Sequence, residues 1–211
     1  MGQDIWVIIP VKPLLTSKSR LAQVLSAEAR AELMREFLMR MLAELQQVFE
    51  WTHILLVSSD PAVAAIARRF GVLLLAEERP LGLNTAVTQA THLAAAHGAA
   101  GVLILPADLP FLTAMDVRHL LAQRTGDGPM LVICSDDRGS GTNALFLSPP
   151  DAFTFQYGPG SFQKHLREGR RRRMACQIVQ RPGLQFDLDT EIDWQIYQQA
   201  RLNVSGMAEF H

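Results

Sequence analysis

The sequence predicts one doubly wound α/β domain. Short apolar runs of strand length alternate with stretches of helical period along the whole chain. The runs are continuous and rich in branched residues, as strands covered on both faces are. The chain has 211 residues, 48% hydrophobic and 19% charged, a length and composition that suit a single compact core over 1–211.

The first run, Ile5–Val11, reads as a buried strand. Ser26 can cap a helix reaching about Phe49, with Met34, Phe37, Leu38, Met41, Leu45 and Val48 on one face. Ile54–Val57 is a second strand, followed by the turn Ser58-Ser59-Asp60-Pro61 and a short helix over Ala62–Phe70. Gly71 stops that helix, and Val72–Ala76 is a third strand. Pro80–Asn84 reads as a loop before an Ala-rich helix to His97, with Gly98 as its stop. Val102–Leu105 is a fourth strand, and Thr113-Ala114-Met115-Asp116 reads as a capping box opening the next helix. Leu131–Cys134 and Ala144–Leu147 are strand-like and joined by the polar loop Ser135–Asn143. A helix is expected from Ser161, a late strand at Gln177–Val179, and a last helix from the Asp187–Asp193 cluster to about Leu202. Residues 203–211 carry no strong pattern and are expected to fray.

Composition excludes several classes of function. Twenty Lys and Arg against 21 Asp and Glu give a net charge of −1, so no global positive field exists to hold a nucleic-acid backbone. No apolar run reaches the ~18 residues a membrane-spanning helix needs. Asp4 before Ile5-Trp6-Val7, with no basic stretch and no long apolar segment, does not read as a secretory signal. Cys134 and Cys176 have no metal-type spacing and fall in apolar runs, which fits reduced, buried thiols and a cytoplasmic location.

Ligands of such sheets bind at the carboxyl ends of the strands, so the residues just after each strand are informative. Only three lysines stand against seventeen arginines, and Lys12 and Lys18 share the loop after the first strand with Arg20. A cationic loop there suits a nucleotide's phosphates, the plain alternative being a solvated basic turn. Neither a Walker loop nor a dinucleotide fingerprint is present.

Asp108 follows the fourth strand and has no capping duty, because Thr113 can do that work. A carboxylate so placed is a good Mg²⁺ ligand. Asp187 and Asp189 share one face of an extended segment and could hold the same ion, or Asp189 or Thr190 could simply cap the last helix. The loops Asp137–Asn143 and Tyr157–Phe162 are Gly-rich and suit anion binding by backbone N–H groups, though such loops are common. His165 lies one turn beyond Ser161, facing either the same site or solvent. The Arg170–Arg173 run reads as a solvated turn, with a phosphate contact as its alternative.

In order, Ile9-Pro10-Val11-Lys12-Pro13, Lys18-Ser19-Arg20-Leu21, Gly82-Leu83-Asn84 and Leu105-Pro106-Ala107-Asp108-Leu109-Pro110 are followed by Gly141-Thr142-Asn143-Ala144-Leu145, Gly158-Pro159-Gly160-Ser161-Phe162 with His165, and Asp187-Leu188-Asp189-Thr190. This set resembles the CofC/FbiD family of guanylyltransferases from the first strand to about residue 193. The resemblance implies a nucleotidyltransferase (GT-A-like) fold, a three-layer α/β/α sandwich with a mostly parallel mixed sheet. It also implies a step in coenzyme F-420 biosynthesis, in which GTP and a phosphorylated three-carbon acid give a guanylylated product and pyrophosphate. The acid is 2-phospho-L-lactate, phosphoenolpyruvate or 3-phospho-D-glycerate, and the product passes to a deazaflavin transferase. By family pattern, Thr142, Gly158 and Ser161 match positions that bind the phospho-acid, and Asp108 with Asp187 and Asp189 match metal-binding carboxylates. The chain reads Asp189-Thr190-Glu191-Ile192-Asp193 where relatives often have D-T-P-E-D, which leaves the choice between Asp187 and Asp189 open.

On this reading Lys12, Lys18 and Arg20, with Gly82 and Asn84, form the nucleotide side. Asn84 offers acceptor and donors to a guanine edge. The attacking group is already a phosphate, so Lys12, Lys18, Arg20 and Asp108 with Mg²⁺ act by positioning and charge neutralisation rather than by general base. The Arg-over-Lys bias hints at a GC-rich bacterial genome and at phosphoenolpyruvate. A homodimer is compatible with the sequence, although no stripe demands one. Two other classes stay open: a GT-A glycosyltransferase, despite Asp108-Leu109-Pro110 where Asp-x-Asp is usual, and a nucleotide-binding regulatory subunit without turnover.

Overall fold

The computed structural model describes residues 5–125, 128–150 and 153–208. Seven strands form one sheet in the order β3-β2-β1-β4-β6-β5-β7. They are β1 (Ile5–Pro10), β2 (Ile54–Ser58), β3 (Leu73–Ala76), β4 (Gly101–Ile104), β5 (Met130–Ser135), β6 (Thr142–Ser148) and β7 (Ala175–Ile178). Every pairing is parallel except those of β6, which runs antiparallel to both β4 and β5. The reversal puts the first residues of β6 beside the carboxyl end of β4. Thr142 and Asn143, expected in a loop, therefore belong to a strand that enters the sheet from the crevice.

Two cores flank the sheet, as the period-2 alternation of side chains requires. Ile5, Val7 and Ile9 of β1 face one core, and Trp6 and Ile8 face the other. The first core is closed by α1 (Ala27–Leu45), α2 (Pro61–Phe70), α4 (Ala114–Ala122) and the last helix, which supplies the fully buried Tyr197. On α1, Phe37, Leu38, Met41, Leu42 and Leu45 are at most 1% exposed, each such burial stabilising by roughly 1.5–3 kcal/mol. The second core lies under α3 (Leu83–Ala96) and α5 (Ser161–Arg171). Ala86, Val87, Ala90 and Ala94 of α3 let that helix lie close against the strands.

Most helix boundaries have a chemical cause legible in the sequence. Ser26 caps α1 by accepting from the Ala29 N–H, and Gly71 ends α2 with φ of 69°. Thr113 and Asp116 form the expected capping box of α4. Three boundaries differ. The first helix stops at Leu45 rather than Phe49, Leu83 and Asn84 form the first turn of α3 rather than a loop, and the last helix runs from Glu191 to Ala208. Residues 203–208 continue that helix, and 209–211 lie outside the described residues. It is numbered α7 because a short α6 (Pro182–Gln185), with Pro182 at its first position, precedes it. Both cysteines are free, Cys134 buried and Cys176 only half-buried. No described helix is long and apolar enough to cross a membrane.

Candidate active site

The segment after β1 makes two 3₁₀ turns, Leu14–Thr16 and Ser19–Leu21, with Lys18 between them in the left-handed region at φ 53°. Two residues that the sequence did not single out hold it there. Asp60, the N-cap of α2, also accepts from the Leu14 N–H at 2.7 Å. Arg30, buried on α1, donates to the Ser17 carbonyl at 3.2 Å and the Leu25 carbonyl at 2.8 Å. The result turns Lys18 inward, its side chain 5% exposed, while Arg20 stays in solvent and the exposed Lys12 lines the cleft.

Lys18 meets the acidic residues from opposite ends of the chain. Its ammonium bonds Asp108, just after β4, and Asp189 Oδ1 at 2.7 Å. Burial pulls this amine down, but the two carboxylates outweigh it and raise its pKa above the ordinary lysine value. Burial would push Asp189 up, yet Lys18, Arg20 and Arg138 hold it below the usual carboxylate range. At Asp187 the charge of Lys18 still lowers the pKa, but it is the smallest of the influences. Burial and the neighbouring Asp108 raise it to about 6, although Asn143 Nδ2 donates to its Oδ1 at 3.1 Å.

Asp189 is free for this work because the cap of α7 is made by others. Thr190 Oγ1 accepts from the Asp193 N–H at 3.4 Å, and Asp193 Oδ2 accepts from the N–H groups of Thr190 and Asp189 at 2.6 and 3.0 Å. Asp108, Asp187 and Asp189 offer oxygens that all lie within 4.8 Å of one another. Asp108 Oδ1 is buried without a partner. An all-oxygen donor set with an unsatisfied carboxylate oxygen fits a hard divalent cation.

The Gly-rich loops come together on the far side of β6. The Phe162 N–H donates to the Ser140 carbonyl at 3.1 Å, tying one loop to the other. Gly158 and Gly160 take φ of 117° and 70°, which an L side chain adopts only with strain. They fold the chain onto the start of α5, where Ser161 is buried. Thr142 opens β6 and meets His165 of α5, whereas its neighbour Asn143 meets Asp187. His165 is wholly buried. Its Nε2 accepts from the Gln156 N–H at 2.9 Å, so Nδ1 carries the proton donated to Thr142 Oγ1 at 3.1 Å. Burial, then Lys164, lowers this imidazole to about 4, so it is neutral near pH 7. With its oxygen accepting from His165, Thr142 keeps its own O–H as a donor.

A cleft of about 520 Å³ runs from Asp108 and Asp189 past Lys18 and Lys12 to Gly82 and Glu77. Gly82, at φ 92°, caps α3 on its wall. Asn84 is otherwise engaged: its Oδ1 accepts from the Tyr157 N–H at 2.7 Å and its Nδ2 donates to the Tyr157 carbonyl at 3.3 Å. It clamps the segment leading into Gly158. Arg171 and Arg172 bond Glu168 on their own helix, so that basic run is a helix end. No short motif marks the tether from Asp60 to Leu14 or the bond from Asn143 to Asp187, because the partners lie 46 and 44 positions apart in the chain.

Solved structures with the same fold include a nucleotide-diphospho-sugar transferase from Desulfovibrio desulfuricans G20, described as putative. Its TM-score is 0.66 at 18% identity, covering 84% of this chain and 80% of that one. Another is 4-diphosphocytidyl-2C-methyl-D-erythritol synthase from Anaerococcus prevotii, with a TM-score of 0.61 at 10% identity over 96% and 97% of the two chains. The fold is thus the nucleotidyltransferase fold. A protein from Rubrobacter xylanophilus named phosphoenolpyruvate guanylyltransferase is 41% identical over 98% of this chain and 97% of its own. One of the same name from Sphaerobacter thermophilus is 36% identical, covering 88% of each chain. A Colwellia psychrerythraea protein named 3-phospho-D-glycerate guanylyltransferase is 31% identical over 90% and 89% of the two chains. The family model for guanylyl transferases like CofC matches residues 5–196, and the chain belongs to that family.

Proposed function

We propose that the protein joins the GMP moiety of GTP to the phosphate of phosphoenolpyruvate, releasing pyrophosphate, as a step toward coenzyme F-420. The observation that carries the acceptor is the nearly full-length similarity to proteins named for that reaction. The Colwellia relative supports 3-phospho-D-glycerate as the second reading.

In this reading GTP lies along the cleft with its phosphates over the segment after β1. Lys12, Lys18 and Arg20 balance the triphosphate, and Gly82 lines the nucleoside end. Thr142, the Gly158 N–H and Ser161 hold the small acid, with the Thr142 hydroxyl pre-aimed by His165. An acceptor phosphate oxygen forms a bond to the α-phosphorus as the bond to the leaving pyrophosphate breaks. No proton needs to be removed from the nucleophile, so the chain contributes orientation and charge rather than a general base. Asp108, Asp187 and Asp189 would hold Mg²⁺, which supplies charge neutralisation at the phosphate oxygens.

The test is pyrophosphate release from GTP and Mg²⁺ with each acid supplied separately. Product with phosphoenolpyruvate alone is expected. Product only with 3-phospho-D-glycerate or 2-phospho-L-lactate would reassign the acceptor, and release with none would overturn the reaction. Ser161→Ala should raise the KM for the acid more than that for GTP.

A further inference from the structure

Glu77 sits at the carboxyl end of β3, the edge strand on the nucleotide side of the sheet. Its backbone N–H donates to the Ser58 carbonyl at 3.1 Å, which fixes the residue against the end of β2. The side chain lines the cleft, and its Oε1 is buried with no hydrogen-bond partner. The cleft wall carries three carboxylates, Asp108, Asp189 and Glu77. The two aspartates meet Lys18, whereas Glu77 makes no ion pair among the described residues. A buried, unpaired carboxylate oxygen costs free energy unless a ligand supplies the donor.

The surroundings say what kind of donor. The cleft that Glu77 lines has a largely apolar wall, to which Pro10, Val57, Pro80, Leu83 and Ala86 contribute. Flat apolar walls with a polar group at one edge suit a planar heterocycle. From β3 to β4 is three strand spacings, about 14 Å, so a nucleotide whose phosphates lie at Lys18 places its base toward Glu77. A carboxylate is an acceptor pair and repels phosphate, so this end cannot take the triphosphate. Among common bases, guanine presents two adjacent donors, N1–H and the N2 amine, which one carboxylate can accept together. Adenine presents an acceptor at N1 and would face the carboxylate with a lone pair.

We infer that Glu77 is the residue that selects guanine, accepting from N1–H and the N2 amine of the bound nucleotide. The inference rests on the nucleotide reading of the cleft given above. It leaves Asn84 the task of holding Tyr157 and the Gly158 loop.

The experiment is competition binding of nucleoside triphosphates to the whole protein, beside pyrophosphate release on the same samples. Wild type should bind inosine triphosphate, which lacks the N2 amine, about 10–100-fold more weakly than GTP, and ATP more weakly still. In Glu77→Gln the amide oxygen still accepts from N1–H while the amide N–H donates to an oxygen at C2. That variant should therefore lose GTP affinity and gain affinity for xanthosine triphosphate, inverting the wild-type ratio. Glu78→Gln, at an exposed neighbour, should keep the wild-type ratio. The gain for xanthosine triphosphate distinguishes altered recognition from misfolding, which would lose both. An unchanged GTP to xanthosine triphosphate ratio in Glu77→Gln, loss of both nucleotides, or a wild type indifferent to the N2 amine overturns the inference. Tight guanine-selective binding without pyrophosphate release would instead overturn the proposed reaction and leave the role of Glu77 standing.

Discussion

Asp108 leaves β4 with no capping duty: its backbone carbonyl accepts from the Leu188 N–H, and its carboxylate meets the Lys18 ammonium. Asp108→Asn should lower turnover by about 10²-fold or more, while Lys18 keeps Asp189 as its partner. A variant with near wild-type rates would remove Asp108 from the machinery. This residue could be picked out from sequence because Thr113 visibly took the capping role. The burial of His165 could not be read there, because its two partners, the Gln156 N–H and Thr142 Oγ1, become neighbours only when α5 packs on the sheet. With a folded pKa of about 4 against ~6.5 when unfolded, the unfolded chain takes up the proton first as pH falls. The contribution of His165 is complete above about pH 6.5 and is lost progressively down to about 4. His165→Ala should abolish that part of the stability–pH slope, destabilise by about 2–4 kcal/mol, and raise the KM for the acid. An unchanged acid KM would mean that the Thr142 hydroxyl needs no orienting.

Helix starts and strand ends do double duty in this molecule. Asp60 caps α2 through Ala62 at 2.8 Å and holds Leu14 at 2.7 Å, so one side chain sets both a helix and the lysine-bearing segment. Asp60→Ala should cost about 1–2 kcal/mol through the cap alone and weaken GTP binding in addition. A variant that loses stability but keeps wild-type GTP affinity would show that the segment after β1 holds itself. The Ser-Asp-Pro turn made the start of α2 legible, because Asp followed by Pro is a local signal. The tether to Leu14 was not, since the two residues are 46 positions apart. Glu77 was hidden for a different reason. In sequence it opens a Glu-Glu-Arg-Pro stretch that reads as a solvated turn, and only the pairing of β3 with β2 turns it into the cleft.

At the scale of the whole chain, the alternation of strands and helices and their approximate bounds followed from sequence periodicity. The antiparallel course of β6 did not, because a buried run such as Ala144–Leu147 has the same composition in either direction. That reversal carries Thr142 and Asn143 to the crevice end of the sheet, and the segment between α6 and α7 brings Asp189 back to meet Asp108. Three carboxylates gathered within 4.8 Å repel one another, and Lys18 is the buried cation among those that offset them. Its ammonium bridges Asp108 and Asp189 as a divalent ion would, so lysine and ion compete for part of one charge. In metal-free protein, Lys18→Met should thus cost about 3 kcal/mol, the penalty of leaving buried charge unpaired. With roughly 2–4 °C of melting temperature per kcal/mol for a chain of this size, the expected loss is about 6–12 °C. Mg²⁺ at 100 times its dissociation constant would return about 2.7 kcal/mol. Melting temperatures of both proteins across a Mg²⁺ titration decide the matter. A larger Mg²⁺-dependent rise in Lys18→Met than in wild type is expected, whereas equal rises would mean that Lys18 and the ion occupy separate places.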